Sequence, residues 1–455
     1  MKNLKIAQLF AAATLCSGLA GAQEIDFNNL PSITEIKNQA SRIQVSVPKA
    51  NGPEARAQKE LTIMLFINGK NNLSKYVDID MNEMETVGST DKVNIVVQAG
   101  RMAYTPPSNP GYPGGWDDYD YPGNGGWHPG YPGWHPQPYM MKSDSNWTGV
   151  RRYYVTKDND TATLGSQLVQ ELPKTDMGDW NQLAEFAQWA RANYPAKKFM
   201  LVVWNHGDGW KTKSLEKKGP IAKGISYDDE TGNGITTVQL GLALAKMGGV
   251  DIYASDACLM QMQEVVYELK NYAPVIVGSE ETEPGDGWDY NAFLTRLVAT
   301  NLSPEATAKA AVEGYGASYS AKGQAVTLSA VRSRETEALR QLTDQWVDLA
   351  MKEDKAKLKE AVSASTAFEA VDSRDFLHFL ALAGEKVPAL KAKGAEMISL
   401  VNNRMMIKNA NVGDKFKNAS GLAMYLPTSG FDANYSKLAL SKAGKWDEFM
   451  QWLNK

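Results

Sequence analysis

The chain has 455 residues, with 48 Lys and Arg against 52 Asp and Glu, a formal net charge of -4 and 43% hydrophobic residues. That balance excludes a polybasic nucleic-acid binder and supplies ample core, for about three units at roughly 150 residues each or for one large domain with additions. With two cysteines, neither a disulfide scaffold nor a cysteine-ligated zinc site can be built.

The N-terminus reads Met-Lys-Asn-Leu-Lys, then runs without charge from Ile6 to Ala22, ending on Ala20-Gly21-Ala22. That is the pattern of a cleaved export signal over residues 1–22 rather than of a membrane span, so the protein is expected to be exported, periplasmic or extracellular. Cys16 lies inside it behind Ala13-Thr14-Leu15, a poor lipobox. Removal of the signal leaves Cys258 as the single thiol, an anomaly for an exported protein. Residues 23–58 are polar with scattered apolar positions and read as an N-terminal extension or pro-region.

From about residue 59 to 332 the chain alternates strand-like and helix-like segments. Leu61–Ile67, Val93–Val97, Phe199–Trp204, Val250–Ser255 and Val275–Val277 are short, mostly apolar runs without strict alternation, as in strands covered on both faces. Between them, Leu183, Phe186, Ala187 and Ala190 share a helical face behind an Asp179 cap, and Val238–Met247 runs helical up to Gly248-Gly249. This predicts an open, mostly parallel α/β sheet flanked by helices. Residues 104–138 break the pattern: 35 residues hold 17 Gly and Pro and 8 Tyr and Trp. Such composition cannot build a packed core and reads as an insertion, with an adhesive aromatic surface as the functional alternative; His128 and His135 inside it have nothing rigid to hold them. From 333 to 455, amphipathic segments at Glu335–Met351, Lys355–Ala367, Asp375–Leu382 and Leu390–Met406 predict a helix-rich C-terminal subdomain that completes the sheet, with a late strand at Gly421–Leu426 and a last helix at Trp446–Leu453.

Two residues follow buried strands directly. His206 lies in Asn205-His206-Gly207-Asp208-Gly209-Trp210 and Cys258 in Asp256-Ala257-Cys258. Reactive groups in open α/β sheets gather at carboxyl strand ends. The spacing of Leu259, Met262, Val266 and Leu269 predicts a helix opening at Cys258, whose N-terminal field would favour the thiolate. A lone Cys is also read as a small buried hydrophobe, and a strand-end His as a loop tether.

The flanking blocks add a resemblance. Ile67–Leu73, Asp80–Glu85, Met177–Asp179, Val202–Trp210, Ser255–Met260 and Gly278–Tyr290, with Gly421–Pro427 further on, resemble the ordered blocks of the clostripain family, within the group that includes caspases, legumains and gingipains. The resemblance implies a caspase-like sheet and a cysteine endopeptidase in which Cys258 is the nucleophile and His206 protonates the departing amine, acting as a dyad. It implies an oxyanion hole from the backbone N–H groups of Gly207 and Cys258. It also places Asp256 and Asp286 in a pocket that reads a basic P1 side chain, giving protein or peptide substrates cut after Arg or Lys.

Other readings stay beside these. Asp256 also fits an N-cap for the helix expected at Cys258, and Glu280, Glu281 and Glu283 fit either pocket-rim acids or a solvated loop. His378, mid-helix in Asp375–Leu380, reads as packing. The Lys-rich stretch 211–223 reads as a solvated loop or as a self-cleavage segment of a zymogen, cut after Lys218 or Lys223, and the 23–58 extension could be removed at Arg56 or Lys59. No cofactor is required on this reading; the resemblance brings calcium as an optional ion, and Asp228-Asp229-Glu230 offers oxygen ligands but no calcium-loop pattern. The rivals are a surface binding protein on a peptidase fold that uses the aromatic insertion, and another thiol hydrolase such as a transpeptidase.

Overall fold

The computed structural model describes residues 57–103, 147–172, 174–210 and 224–455. The expected signal, the extension up to residue 56, the 104–138 insertion and the 211–223 segment with Lys218 and Lys223 lie outside the described residues.

Strand β1 (Lys59–Gly69) shows why the sheet forms. Leu61, Ile63, Leu65 and Ile67 enter one core, while Met64 and Phe66 enter the other. A strand with apolar residues on both faces is stable only when helices cover both sides. The same division recurs in β2 (Val93–Arg101), β5 (Ala196–Trp204), β8 (Ile252–Asp256) and β9 (Val275–Gly278). These pair in parallel as β2-β1-β5-β8-β9. Antiparallel strands close both edges: β3 (Gly149–Tyr154) and β4 (Gln167–Glu171) beyond β2, β10 (Val326–Arg332) and β12 (Met406–Val412) beyond β9. The described residues thus hold a nine-stranded sheet in the order β12-β10-β9-β8-β5-β1-β2-β3-β4. A hairpin of β6 (Ile225–Asp228) and β7 (Asn233–Ile235), and a pair of β11 (Ser373–Asp375) with β13 (Ala423–Tyr425), stand apart from it.

Helix Trp180–Asn193 is capped by Asp179, whose side chain accepts from the Asn181 N–H, and helix Thr237–Met247 ends on Gly248 at φ 84°, both as the sequence predicts. The segment after residue 333 supplies β12 to the sheet edge, and its helices pack into the same core as Leu183 and Phe186. Two expectations there need correction. The segment Leu390–Met406 is not one helix: it is helical over Pro388–Leu400, widens into a π turn at Val401–Met405, and becomes strand at Met406. The late strand at Gly421–Leu426 shortens to β13 and pairs with β11 instead of joining the sheet. Among the described residues, no helix is long and apolar enough to cross a membrane.

The chain leaves β1 for β2 on one side and later returns to β5 on the other, so connections diverge at the carboxyl ends of β1 and β5, where α/β sheets form their crevices.

Candidate active site

Register places the two reactive residues side by side. Trp204, the last residue of β5, pairs with Asp256, the last residue of β8. His206 and Cys258 therefore each lie two residues past one matched pair, on strands about 4.8 Å apart. The loops then touch: a Cβ added to Gly207 would lie 2.3 Å from the Cys258 carbonyl oxygen, and one added to Gly209 would lie 2.5 Å from the Met262 Sδ. Gly207 is therefore required by close approach to backbone, and Gly209 by its φ of 60°.

The helix expected at Cys258 is absent. Leu259 takes φ 62°, and the following residues turn back to hydrogen-bond with the chain after β9, through Leu259 N to Glu281 O at 3.1 Å and Gln261 N to Ser279 O at 2.9 Å. The helix begins only at Gln263, after an extended Met262. Among the described residues no helix opens at the thiol, so neither the thiolate-favouring field expected from it nor the N-cap role for Asp256 survives. Burial, and secondarily the Glu283 carboxylate, push the Cys258 thiol up to about 12. Sγ instead accepts a hydrogen bond from the Glu283 N–H at 3.3 Å. Burial lowers the His206 imidazole to about 4. The resting pair is a neutral thiol beside a neutral imidazole.

The His206 ring has a partner the sequence reading missed. Its Nε2 lies 2.7 Å from the Asn72 Oδ1, on the turn that follows β1. The signal was visible only as a cluster of asparagines, Asn68, Asn71 and Asn72, just past a buried strand.

Asp256 is 3% exposed, and its carboxylate accepts from the Tyr290 hydroxyl at 2.7 Å and the Trp288 N–H at 3.2 Å. Burial raises it, and burial together with the Asp256 charge raises the neighbouring Glu283 carboxyl well above its ordinary value. Asp80 and Glu83, on helix Val77–Glu85, join from the other side; burial and the Asp256 charge raise both, Glu83 to about 7. Among the described residues no Lys or Arg forms an ion pair with Asp80, Glu83, Asp256 or Glu283, an unusual store of uncompensated acid. Asp286 does not share it: its exposed carboxylate pairs with Lys322 at 3.1 Å.

The remaining acids after β9 are not a solvated loop. Glu280 accepts from the Gly421 N–H at 2.9 Å and hydrogen-bonds the Asp375 carboxyl, whereas Glu281 accepts from the Glu369 N–H at 2.9 Å. Both tie the site to the C-terminal segment. His378 likewise tethers structure, its Nδ1 accepting from the Thr366 N–H at 3.1 Å. In the acidic triplet, Asp228 and Glu230 both pair with Lys70 at 2.9 Å, and among the described residues no group of three or more His, Cys, Asp or Glu is placed to hold a metal.

Cys258, His206, Gly207 and Asp256 thus converge, joined by Asn72 and Glu283, while Asp286 stays at the rim and Lys218 and Lys223 lie outside the described residues. The arrangement offers a thiol, an imidazole and a cluster of buried acids.

The profile of the clostripain family matches residues 65–451. A curated relative, clostripain from Hathewaya histolytica, is 22% identical over 316 residues, 66% of this chain and 53% of that protein, so the chain spans about half the length of that relative. Among solved structures, a secreted C11 cysteine protease from Bacteroides thetaiotaomicron bound to an irreversible peptide inhibitor is similar over 87% of this chain and 99% of its own, with a TM-score of 0.58 at 19% identity. An inactive zymogen C11 protease from Parabacteroides distasonis is similar over 89% of this chain and 100% of its own, with a TM-score of 0.56 at 16% identity. These likenesses show the shared fold.

Proposed function

The chain belongs to the clostripain family, and from that premise we propose that it is an exported cysteine endopeptidase that cuts after Arg or Lys through Cys258 and His206. The observation that carries the reading is the matched register that brings the Cys258 thiol and the His206 imidazole to adjacent strand ends near a cluster of buried acids.

In this mechanism the Cys258 thiol gives its proton to His206 as Sγ bonds the scissile carbonyl carbon. The proton then passes to the departing amine as the C–N bond breaks, leaving a thioester that water hydrolyses. The backbone N–H groups of Gly207 and Cys258 receive the oxyanion. Because the resting thiol is neutral and covered by the Glu283 backbone, substrate entry has to displace that contact and supply the charge that favours ionisation. A guanidinium or ammonium at P1 does the second: it pairs with the buried acids Asp256 and Glu283, which among the described residues have no Lys or Arg in an ion pair with them. Asp286, exposed and paired with Lys322, acts at most at the edge of that cluster.

Self-processing in 211–223, after Lys218 or Lys223, belongs to the same reading. Both flanks of that segment are held beside His206, since the Asp208 N–H donates to the Gly224 carbonyl at 2.9 Å. A Cys258→Ala protein that still separated into two chains after clean purification would sink it. Export rests on residues 1–22. No added cofactor is proposed, because Lys70 already balances Asp228 and Glu230.

The test is hydrolysis of fluorogenic peptides with Arg, Lys, Asp or Leu at P1, under reducing conditions, with and without calcium, alongside Cys258→Ala. Arg or Lys turnover that disappears in the variant is the expected result. A folded, processed and reduced protein with no turnover would instead favour a binding protein on this fold, and cleavage or ligation after neutral residues would favour another thiol hydrolase.

A further inference from the structure

Four asparagines meet around His206, and three of them hold backbone. Asn68 donates to the Tyr227 carbonyl at 2.9 Å and to the Ser226 hydroxyl at 3.1 Å, Asn71 donates to the same carbonyl at 2.8 Å, and Asn205 accepts from the Tyr227 N–H at 2.7 Å. Asn205 also donates to the Asn68 carbonyl. Together they lock the turn after β1, the start of the His206 loop and strand β6 into one unit. The Asn71 side chain further accepts from the Leu73 N–H at 2.9 Å, fixing the turn on which Asn72 begins. The fourth, Asn72, is the one whose carboxamide turns to the His206 ring, at 2.7 Å from Nε2.

We infer that Asn72 is a positioning residue for this chemistry: its Oδ1 accepts the Nε2–H of His206, fixing the tautomer so that Nδ1 exchanges the proton with the Cys258 thiol and the leaving amine. A carboxamide oxygen accepts and does not donate, so the bond requires hydrogen on Nε2 and leaves the lone pair on Nδ1. The proton then moves from Sγ to Nδ1 as the Sγ–carbon bond forms, and from Nδ1 to the amine nitrogen as the C–N bond breaks. Throughout, the Nε2–H stays on Asn72, which steadies the imidazolium without a formal charge. Burial shifts the His206 ring, and the titratable groups on the surrounding described loops are Cys258, Asp208, Tyr227 and Glu283. The charge experienced by His206 is therefore open to adjustment at position 72.

The inference rests on the peptidase reading, and two measurements separate its failure from that one. The first needs no activity. In the full chain labelled with 15N-histidine, four histidines give few enough signals to assign His206 by its loss in His206→Ala. Wild type should show the Nε2–H tautomer at neutral pH, and Asn72→Ala should show a mixture. A wild-type Nδ1–H tautomer would overturn the inference even in an active enzyme. The second uses the peptide substrates. Asn72→Ala should lower kcat by roughly 10- to 100-fold with little change in KM, a part of the general acid–base contribution. Asn72→Asp should recover part of that rate and move the acidic limb of the kcat/KM profile upward by about 1 pH unit or more, because a carboxylate on Nε2–H favours imidazolium. A purely structural Asn72 would lower melting temperature or raise KM in both variants and leave the limb unmoved, and that result too would overturn it.

Discussion

At the scale of single residues, the chemistry turns on groups held away from their ordinary ionisation. A free thiol titrates near about 8.5, but Cys258 is partly buried beside Glu283, and desolvation pushes it up to about 12. Alkylation of the unliganded protein by iodoacetamide should be slow at neutral pH and still rising beyond about pH 10, with no plateau near the ordinary value. A plateau there would mean an exposed, unperturbed thiol. Asp256 gives the second prediction: Asp256→Asn removes a buried acid two residues before Cys258 while keeping an acceptor for Tyr290 and Trp288, so kcat/KM for Arg and Lys substrates should fall about 100-fold or more, measured against any residual neutral-P1 rate. Cys258, His206 and Asp256 were legible in the sequence because each belongs to a short run that ends a buried strand. Asn72 was not, and Glu283 was legible only as one of three acids that fit either a pocket rim or a solvated loop, because a hydrogen bond between two loops leaves no periodicity in either.

Among elements, the loops do more than the strands to define the site. Gly207→Ala inserts a methyl where the Cys258 carbonyl already sits, 2.3 Å away, so the two loops must separate. A displacement of about 1 Å costs roughly 100-fold in rate, and kcat/KM should fall by that order while circular dichroism keeps its α/β signature. The hairpin beside His206 depends on Lys70, 2% exposed, whose ammonium joins Asp228, Glu230 and the Thr175 carbonyl. Lys70→Met strands the buried Asp228 carboxylate and should cost about 3–5 kcal/mol, read by denaturant titration and by faster amide exchange in Ile225–Asp228. The expected helix at Cys258 failed for a local reason with a distant cause: Leu259, Met262, Val266 and Leu269 do share helical spacing, but hydrogen bonds offered by Ser279 and Glu281 hold the chain open until Gln263. Strand β12 escaped notice because Met-Ile-Lys-Asn-Ala-Asn-Val is half-buried and polar, and its pairing with β10 decides its conformation.

For the molecule as a whole, the sheet joins both halves of the chain, and buried carboxyls make its stability depend on pH. Glu264, on the helix after Cys258, accepts from the Tyr425 N–H at 2.9 Å and the Tyr435 hydroxyl at 3.0 Å, and burial raises it to about 7. Its folded value lies above the unfolded one, near about 4.3. The unfolded chain therefore releases this proton first as pH rises, and stability is lost between about pH 4 and 7 and level above. Glu264→Gln should be neutral near pH 4 and stabilising by up to about 3–4 kcal/mol at pH 8, seen as a flatter dependence of melting temperature on pH. If the variant keeps the wild-type slope, Glu264 is not among the groups responsible. The sequence by itself determined the sheet class, the two helix caps at Asp179 and Gly248, the family and the strand ends that carry Cys258 and His206, because these follow from local runs, caps and ordered blocks. Only the tertiary structure decided that Cys258 is capped by the Glu283 backbone, that Asn72 holds His206, that Asp256 is buried near Glu283 and that Asp286 is exposed and paired with Lys322. Those are contacts between segments far apart in the chain, fixed by strand order and loop closure, and no local pattern encodes which loops will meet.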